Sequence, residues 1–139
     1  MLDKLYKYAI LSTIGGLIYS FIEIIGRGYT HWSMFLLGGL CFVILGLLNE
    51  IFSWDTPILL QMLCGAVIIT TLEFMTGCIV NLWLGWNVWD YSNEPFNFYG
   101  QICLKYSCYW FWLSLVGIVL DDYLRYWLFQ EEKPRYKIL

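Results

Sequence analysis

The sequence predicts an all-α, polytopic membrane protein: a bundle of four transmembrane helices in a single integral membrane domain over residues 1–139. Three observations carry that expectation. Hydrophobic residues make up 60% of the chain and charged residues 14%, against about 45–50% and about 25% in ordinary soluble domains. Aromatic residues reach 20%, with eight Trp and eleven Tyr, and a chain this short cannot bury so much apolar surface and still present a polar exterior. The apolar residues also gather into four runs, each near the about 20 residues that cross a bilayer. The same composition excludes a disordered chain. A net charge of −3 with eight basic residues argues against nucleic acid as a partner, which needs a basic face.

The first helix is expected over residues 5–25, with Lys7 and Glu23 near its ends. The run is too long for a signal peptide, and no A-x-A cleavage site follows it. A polar connection, Gly26 to His31, leads to the second helix over 32–52, which merges into a tight loop holding Glu50, Trp54 and Asp55. Pro57 suits the first position of the third helix, 57–82, because its missing N–H would be unpaired there in any residue. Gln61 and Glu73 interrupt that run. Residues 83–98 then alternate aromatic rings with Asn, Asp, Ser and Pro, a long aromatic and polar loop between helices 3 and 4. The fourth helix is expected over 100–124. At its end Asp121 and Arg125 stand at i,i+4, the spacing of a solvated or interfacial ion pair.

Lys and Arg placement sets the orientation. Lys4, Lys7, Arg125, Lys133, Arg135 and Lys137 flank the two ends of the chain, and only Arg27 and Lys105 fall near the other face. An even number of spans with this bias puts both termini in the cytoplasm and the protein, multi-pass, in the cytoplasmic (inner) membrane. A weak echo links Glu23 followed by Gly26 with Glu73 followed by Gly77; two tandem two-helix halves or chance both account for it.

Glu73 is the sharpest chemical feature. It lies deep in an apolar run, where a carboxyl costs several kcal/mol, of order 3, unless it is paired, protonated or facing water. Such a group serves either as an ion, proton or substrate contact or as a hydrogen-bonding pin between helices. Non-helical chain at membrane depth is tolerated only when buried in protein or lining water. The candidate pathway therefore joins Glu73 to Asp90, Asn97, Gln101 and Lys105. Lys105, four residues beyond Gln101 on the expected fourth helix, is the cation available to pair with Glu73 or Asp90. Secondary candidates are Glu23 and Arg27, an i,i+4 ion pair, and His31, the sole histidine, suited to capping the second helix. Five cysteines without a CxxC or a nearby histidine point to no metal site, cofactor or disulfide framework. No P-loop, G-x-S-x-G or H-E-x-x-H motif occurs, so the chain is not expected to be an ATPase or another enzyme.

These residues also carry a resemblance. Leu72-Glu73-Phe74-Met75-Thr76-Gly77, then Trp89-Asp90-Tyr91-Ser92, Pro95-Phe96-Asn97 and Gly100-Gln101-Ile102-Cys103-Leu104 resemble the ordered signature of the ABC-transporter type IV, or CmpB-like, family of small bacterial membrane proteins. The resemblance spans most of residues 10–120 and is tight over 70–104. In the first half Gly26-Arg27-Gly28 and Leu37-Gly38-Gly39 stand without the prolines that the family pattern shows there. The resemblance implies a multi-helix integral membrane protein. Trp89, Tyr91, Ser92, Pro95, Phe96 and Gly100 are its motif residues. The expected function is a permease-like transport component or an ion- or proton-coupled carrier. The alternative is a structural or lipid-interacting module whose polar motif only stabilises the bundle. Expected partners are the lipid bilayer, a second copy of the chain in a homo-oligomer, and, in an ABC system, an ATPase on a separate subunit.

Overall fold

The computed structural model describes residues 2–138. It is all-helical apart from one two-residue ribbon: α1 (Leu2–Arg27), α2 (Trp32–Ile51), α3 (Ile58–Gly77), a π-helical turn (Cys78–Trp83), β1 (Asn97–Phe98), β2 (Ile102–Cys103) and α4 (Leu104–Phe129). Local chemistry sets the boundaries. Gly28, at φ +84°, stops α1 in a left-handed conformation that costs glycine least. His31 caps α2, its ring nitrogen accepting from the Ser33 amide at 3.2 Å. Pro57 stands at the N-cap of α3, one place before the first helical residue, with φ −56° and ψ 135°. Gln130, at φ 55°, ends α4.

The helices pack as two hairpins. α1 lies chiefly on α2, α3 on α4, and α2 joins the halves by packing on α4 and α3. Each inward stripe follows helical spacing. On α3 it runs Ile58, Met62, Gly65, Ile69, Glu73 and Gly77; on α4 it runs Trp110, Ser114, Ile118, Asp121 and Arg125. α3 and α4 meet closely at Gly65, where a Cβ would come within 2.5 Å of the Ser114 hydroxyl. Small residues let membrane-type helices approach in this way.

The core is mainly apolar, yet many large apolar side chains also face outward and several polar ones are buried. Leu17, Phe21 and Ile25 on α1, Leu63 and Val67 on α3, and Trp112 and Val116 on α4 are exposed, whereas Gln61, Glu73, Ser114, Asp121 and Arg125 are buried. Two helical segments are long and apolar enough to cross a membrane, Asp3–Arg27 and Ile58–Trp83. The apolar part of α2, Trp32–Leu48, is shorter, and α4 dilutes its apolar run with Lys105, Asp121, Asp122 and Arg125.

Three expectations change. The fourth helix starts at Leu104, not near residue 100, because Ile102–Cys103 pairs antiparallel with Asn97–Phe98, and a chain committed to a ribbon cannot also enter the helix. Gln101 therefore precedes α4 and shares no helix face with Lys105. Asp121 and Arg125, expected at the bilayer surface, have side chains 0% and 1% exposed. Glu50, Glu131 and Lys7 gather over them from other parts of the chain.

The start of α1 and the segment after α4 meet at this end of the bundle, tied by the Lys7–Glu131 ion pair. The C-terminal segment closes it further: the Lys137 carbonyl accepts from the Ile58 amide at 2.6 Å, and Tyr136 donates to Asp122 at 2.8 Å. Burial and that carboxylate push the Tyr136 phenol well above its ordinary range.

Candidate functional site

The opposite end is organised by the chain between α3 and α4. The π turn adds a residue to the helical repeat, which re-registers the inward face, and such turns recur at functional sites. It brings Asn81 inside. Asn81 Nδ2 donates to Gln101 Oε1 at 2.8 Å, and its Oδ1 accepts from the Val88 amide at 2.7 Å. Trp89, itself buried, donates its indole N–H to the Gln101 carbonyl at 3.0 Å, and Gln101 Nε2 donates to the Tyr99 carbonyl at 3.0 Å. These four hydrogen bonds form a lattice that pins the loop onto the π turn at the end of α3.

Glu73 lies deeper, 2% exposed. Its Oε2 accepts from the Tyr91 hydroxyl at 2.9 Å and its Oε1 from the Trp110 indole at 3.0 Å. Tyr91 comes from the loop and Trp110 from α4, so the carboxyl joins three parts of the chain. Lys105, the cation expected to neutralise Glu73 or Asp90, does neither: its amine lies 3.8 Å from Glu94 and over the Tyr106 ring. The late start of α4 turns it outward.

Asp90 and Asn97 build turns. The Asp90 carboxylate accepts from the amide and the hydroxyl of Ser92, and these bonds hold it below the usual carboxylate range, so the ionised form is the one the turn holds. Asn97 donates to the Glu94 carbonyl at 2.8 Å and accepts from the Gly100 amide at 3.0 Å. Gly100 sits at φ +71°, where a Cβ would also run into Ser92 Oγ and Asp90 Oδ1. Pro95 and Phe96 form the exposed tip of the loop. At the same end His31, Trp32 and Trp86 cluster with ring centroids 5.4–5.6 Å apart, the composition of an aromatic belt at a membrane interface.

Three cavities that share wall residues lie between this surface and Glu73. An outer vestibule of about 450 Å³ is bordered by Arg27, Tyr29, Asp90 and Glu94. Through Arg27, Tyr91 and Tyr106 it adjoins a cleft of about 480 Å³ between α1 and α4, which Glu23 also lines. Through Tyr19 and Trp110 the cleft adjoins an inner cavity of about 100 Å³ whose wall includes Glu73 and Cys41. At the mouth Arg27 Nε lies 2.6 Å from Glu23, and Arg27 Nη1 donates to the Val88 carbonyl at 2.9 Å.

Of the sequence-derived candidates, Glu73, Glu23, Arg27, Tyr91 and Asp90 border this series of cavities, whereas Asn97 and Gln101 serve the loop and His31 the α2 cap. Sequence reasoning missed Tyr19 and Trp110, which look like ordinary aromatic residues of membrane helices. It also missed Asn81, a lone amide in an apolar run that the cost argument applied to Glu73 would have flagged.

No curated protein and no solved structure matched the chain. One family did, over residues 6–137, which is nearly the whole length: the family described as Putative ABC-transporter type IV. That match covers the loop and all four helices that hold it, and the chain belongs to this family.

Proposed function

We propose that the chain is a four-span membrane component of a transport system, and that the cavities running from Arg27 to Glu73 form its solute or ion path. One observation carries the reading. A buried carboxylate lies at the end of adjoining cavities, in a chain whose outer surface is apolar. So many large apolar side chains at the surface are a liability in water and are satisfied in lipid. Family membership supports a transport-related role. In this reading a homo-oligomer completes a pathway that one small bundle only begins, and ATP hydrolysis, where it drives the system, belongs to a separate chain. The alternative, a structural or lipid-interacting module, draws support from the paired lattice around Asn81 and Gln101.

In vesicles holding the purified chain and a trapped pH indicator, an imposed membrane potential is expected to drive ion flux above that of empty vesicles. Glu73→Gln should reduce it at least tenfold while the variant elutes and unfolds like the wild type. Wild-type vesicles indistinguishable from empty ones, or a Glu73→Gln variant with full flux, would leave the structural reading in its place.

Orientation is tested separately. The start of α1 and the segment after α4 share one end of the bundle and the 84–103 loop lies at the other, and the Lys and Arg bias assigns the termini to the cytoplasm. In a cysteine-free background, an impermeant maleimide applied to intact cells should label Asn93→Cys and spare Lys133→Cys until the cells are permeabilised. The opposite pattern, or equal labelling, would reject the arrangement.

A further inference from the structure

The cleft between α1 and α4 has a composition that selects one class of occupant. Its wall is rich in aromatic rings, among them Tyr19, Tyr91, Tyr106 and Trp110. Tyr91 stacks on Tyr106 with centroids 4.7 Å apart and planes within 11°, and Trp110 lies 6.1 Å from both Tyr106 and Tyr19. Aromatic faces carry the negative lobe of the ring quadrupole and attract desolvated cations.

The charged residues lining the cleft and its inner cavity are Glu23, Arg27 and Glu73. Arg27 is already engaged by Glu23 and the Val88 carbonyl. Both oxygens of Glu73 accept hydrogen bonds from neutral donors, and among the described residues no Lys, Arg or His forms an ion pair with it. With all three ionised, the formal charges sum to minus one, and because Glu23 and Arg27 offset each other the surplus rests on Glu73. The cleft alone, about 480 Å³, falls in the range of small-molecule sites, about 300–1,000 Å³. The rim residues Ile22 and Val116 are apolar and exposed, so the entrance suits a molecule that already partitions into lipid.

We propose that this cleft binds a hydrophobic organic cation, an amine or quaternary onium compound, with Tyr19, Tyr91, Tyr106 and Trp110 as its cage and Glu73 as its counter-charge. The inference rests on the reading of the cleft as the solute path and names what travels there. An acyl chain would fill the same space without using the carboxylate, and a hydrophobic anion would be repelled by it.

The test compares two probes of nearly equal shape and opposite charge, tetraphenylphosphonium and tetraphenylborate, by equilibrium dialysis against the full chain in nanodiscs, with empty nanodiscs subtracted. Saturable binding of the phosphonium, with the borate bound at least tenfold more weakly, is expected. Glu73→Gln should weaken the phosphonium about tenfold. Tyr106→Leu should weaken it severalfold, whereas Tyr106→Phe, which keeps the ring, should stay within about twofold of wild type. Equal affinity for the two probes, or no saturable phosphonium binding, overturns the proposal without reference to any variant. Phosphonium binding in a chain that carries no flux would reject the transport reading and leave the site standing. Flux without phosphonium binding would do the reverse.

Discussion

Replacing Arg125 with Met is expected to cost about 3–5 kcal/mol of stability, the range for removing one partner of a buried ion pair. Arg125 Nε donates to Asp121 at 2.9 Å and Nη1 to Glu50 at 3.2 Å, with Glu131 at 3.6 Å. The Asp121 side chain is 0% exposed, so truncating Arg125 strands a carboxylate that cannot reach water. Gly46 packs against that carboxylate so closely that a Cβ would meet Oδ1 at 2.5 Å, so α2 closes off that side of Asp121. Glu50 keeps its hydrogen bond from Tyr8, at 2.8 Å, and suffers less. The double variant Arg125→Met, Asp121→Leu should recover most of the loss, since a packed apolar pair of similar volume is often no worse than the ions it replaces. Unfolding by increasing mole fraction of dodecyl sulfate in mixed micelles, followed by helical circular dichroism, measures both. A single-variant loss below about 1 kcal/mol, or a double variant no more stable than the single, would mean that the network at the terminal end contributes little.

The second large effect belongs to Asn81. Asn81→Leu removes the acceptor for the Val88 amide and the donor to Gln101 Oε1, and each buried group left unpaired costs about 1–3 kcal/mol. We expect a total loss of about 2–6 kcal/mol on that basis. The loss should be local in kind: amide hydrogen exchange at Val88 and Trp89 should accelerate strongly while the amides of α1 and α2 near Glu50 keep their protection. Asn97→Ala, which removes bonds made at the exposed turn, should cost about 1 kcal/mol and leave the Val88 amide protected. If Asn81→Leu leaves exchange at Val88 and Trp89 unchanged, the lattice is not what holds the loop.

The two predictions bear on opposite ends of the molecule, and the ends differ in how legible they were. Four helices could be read directly, because a long apolar run with polar punctuation requires no partner to be recognised. His31 as a cap and Glu23 with Arg27 as a pair were legible because capping and i,i+4 contacts are local. The start of α4 was not, because Ile102–Cys103 pairs with Asn97–Phe98, and ribbon pairing depends on a turn that places Tyr99 and Gly100 at positive φ. The depth of Asp121 and Arg125 was not legible either. Taken alone they form an ordinary i,i+4 pair near a helix end, and they become buried because α2 packs on them at Gly46 and Lys7, Tyr8, Glu50 and Glu131 converge on them.

Glu73 stands between these cases. Its place in an apolar run marks it from sequence alone, since a charge there is costly whatever surrounds it. Which groups offset that cost is a different kind of fact. Lys105 had the right charge and an inviting spacing, yet Tyr91 and Trp110 do the work, 18 and 37 residues away along the chain. Composition, run length and single out-of-place polar residues determined the apolar character of the chain, its helices and the residue that needs explaining, because these depend on transfer free energies that each residue carries wherever it is. The partners of Glu73, the lattice of Asn81, the buried ions at the terminal end and the cleft between α1 and α4 were decided only by tertiary structure, because each depends on groups from distant segments meeting at hydrogen-bond or packing distance.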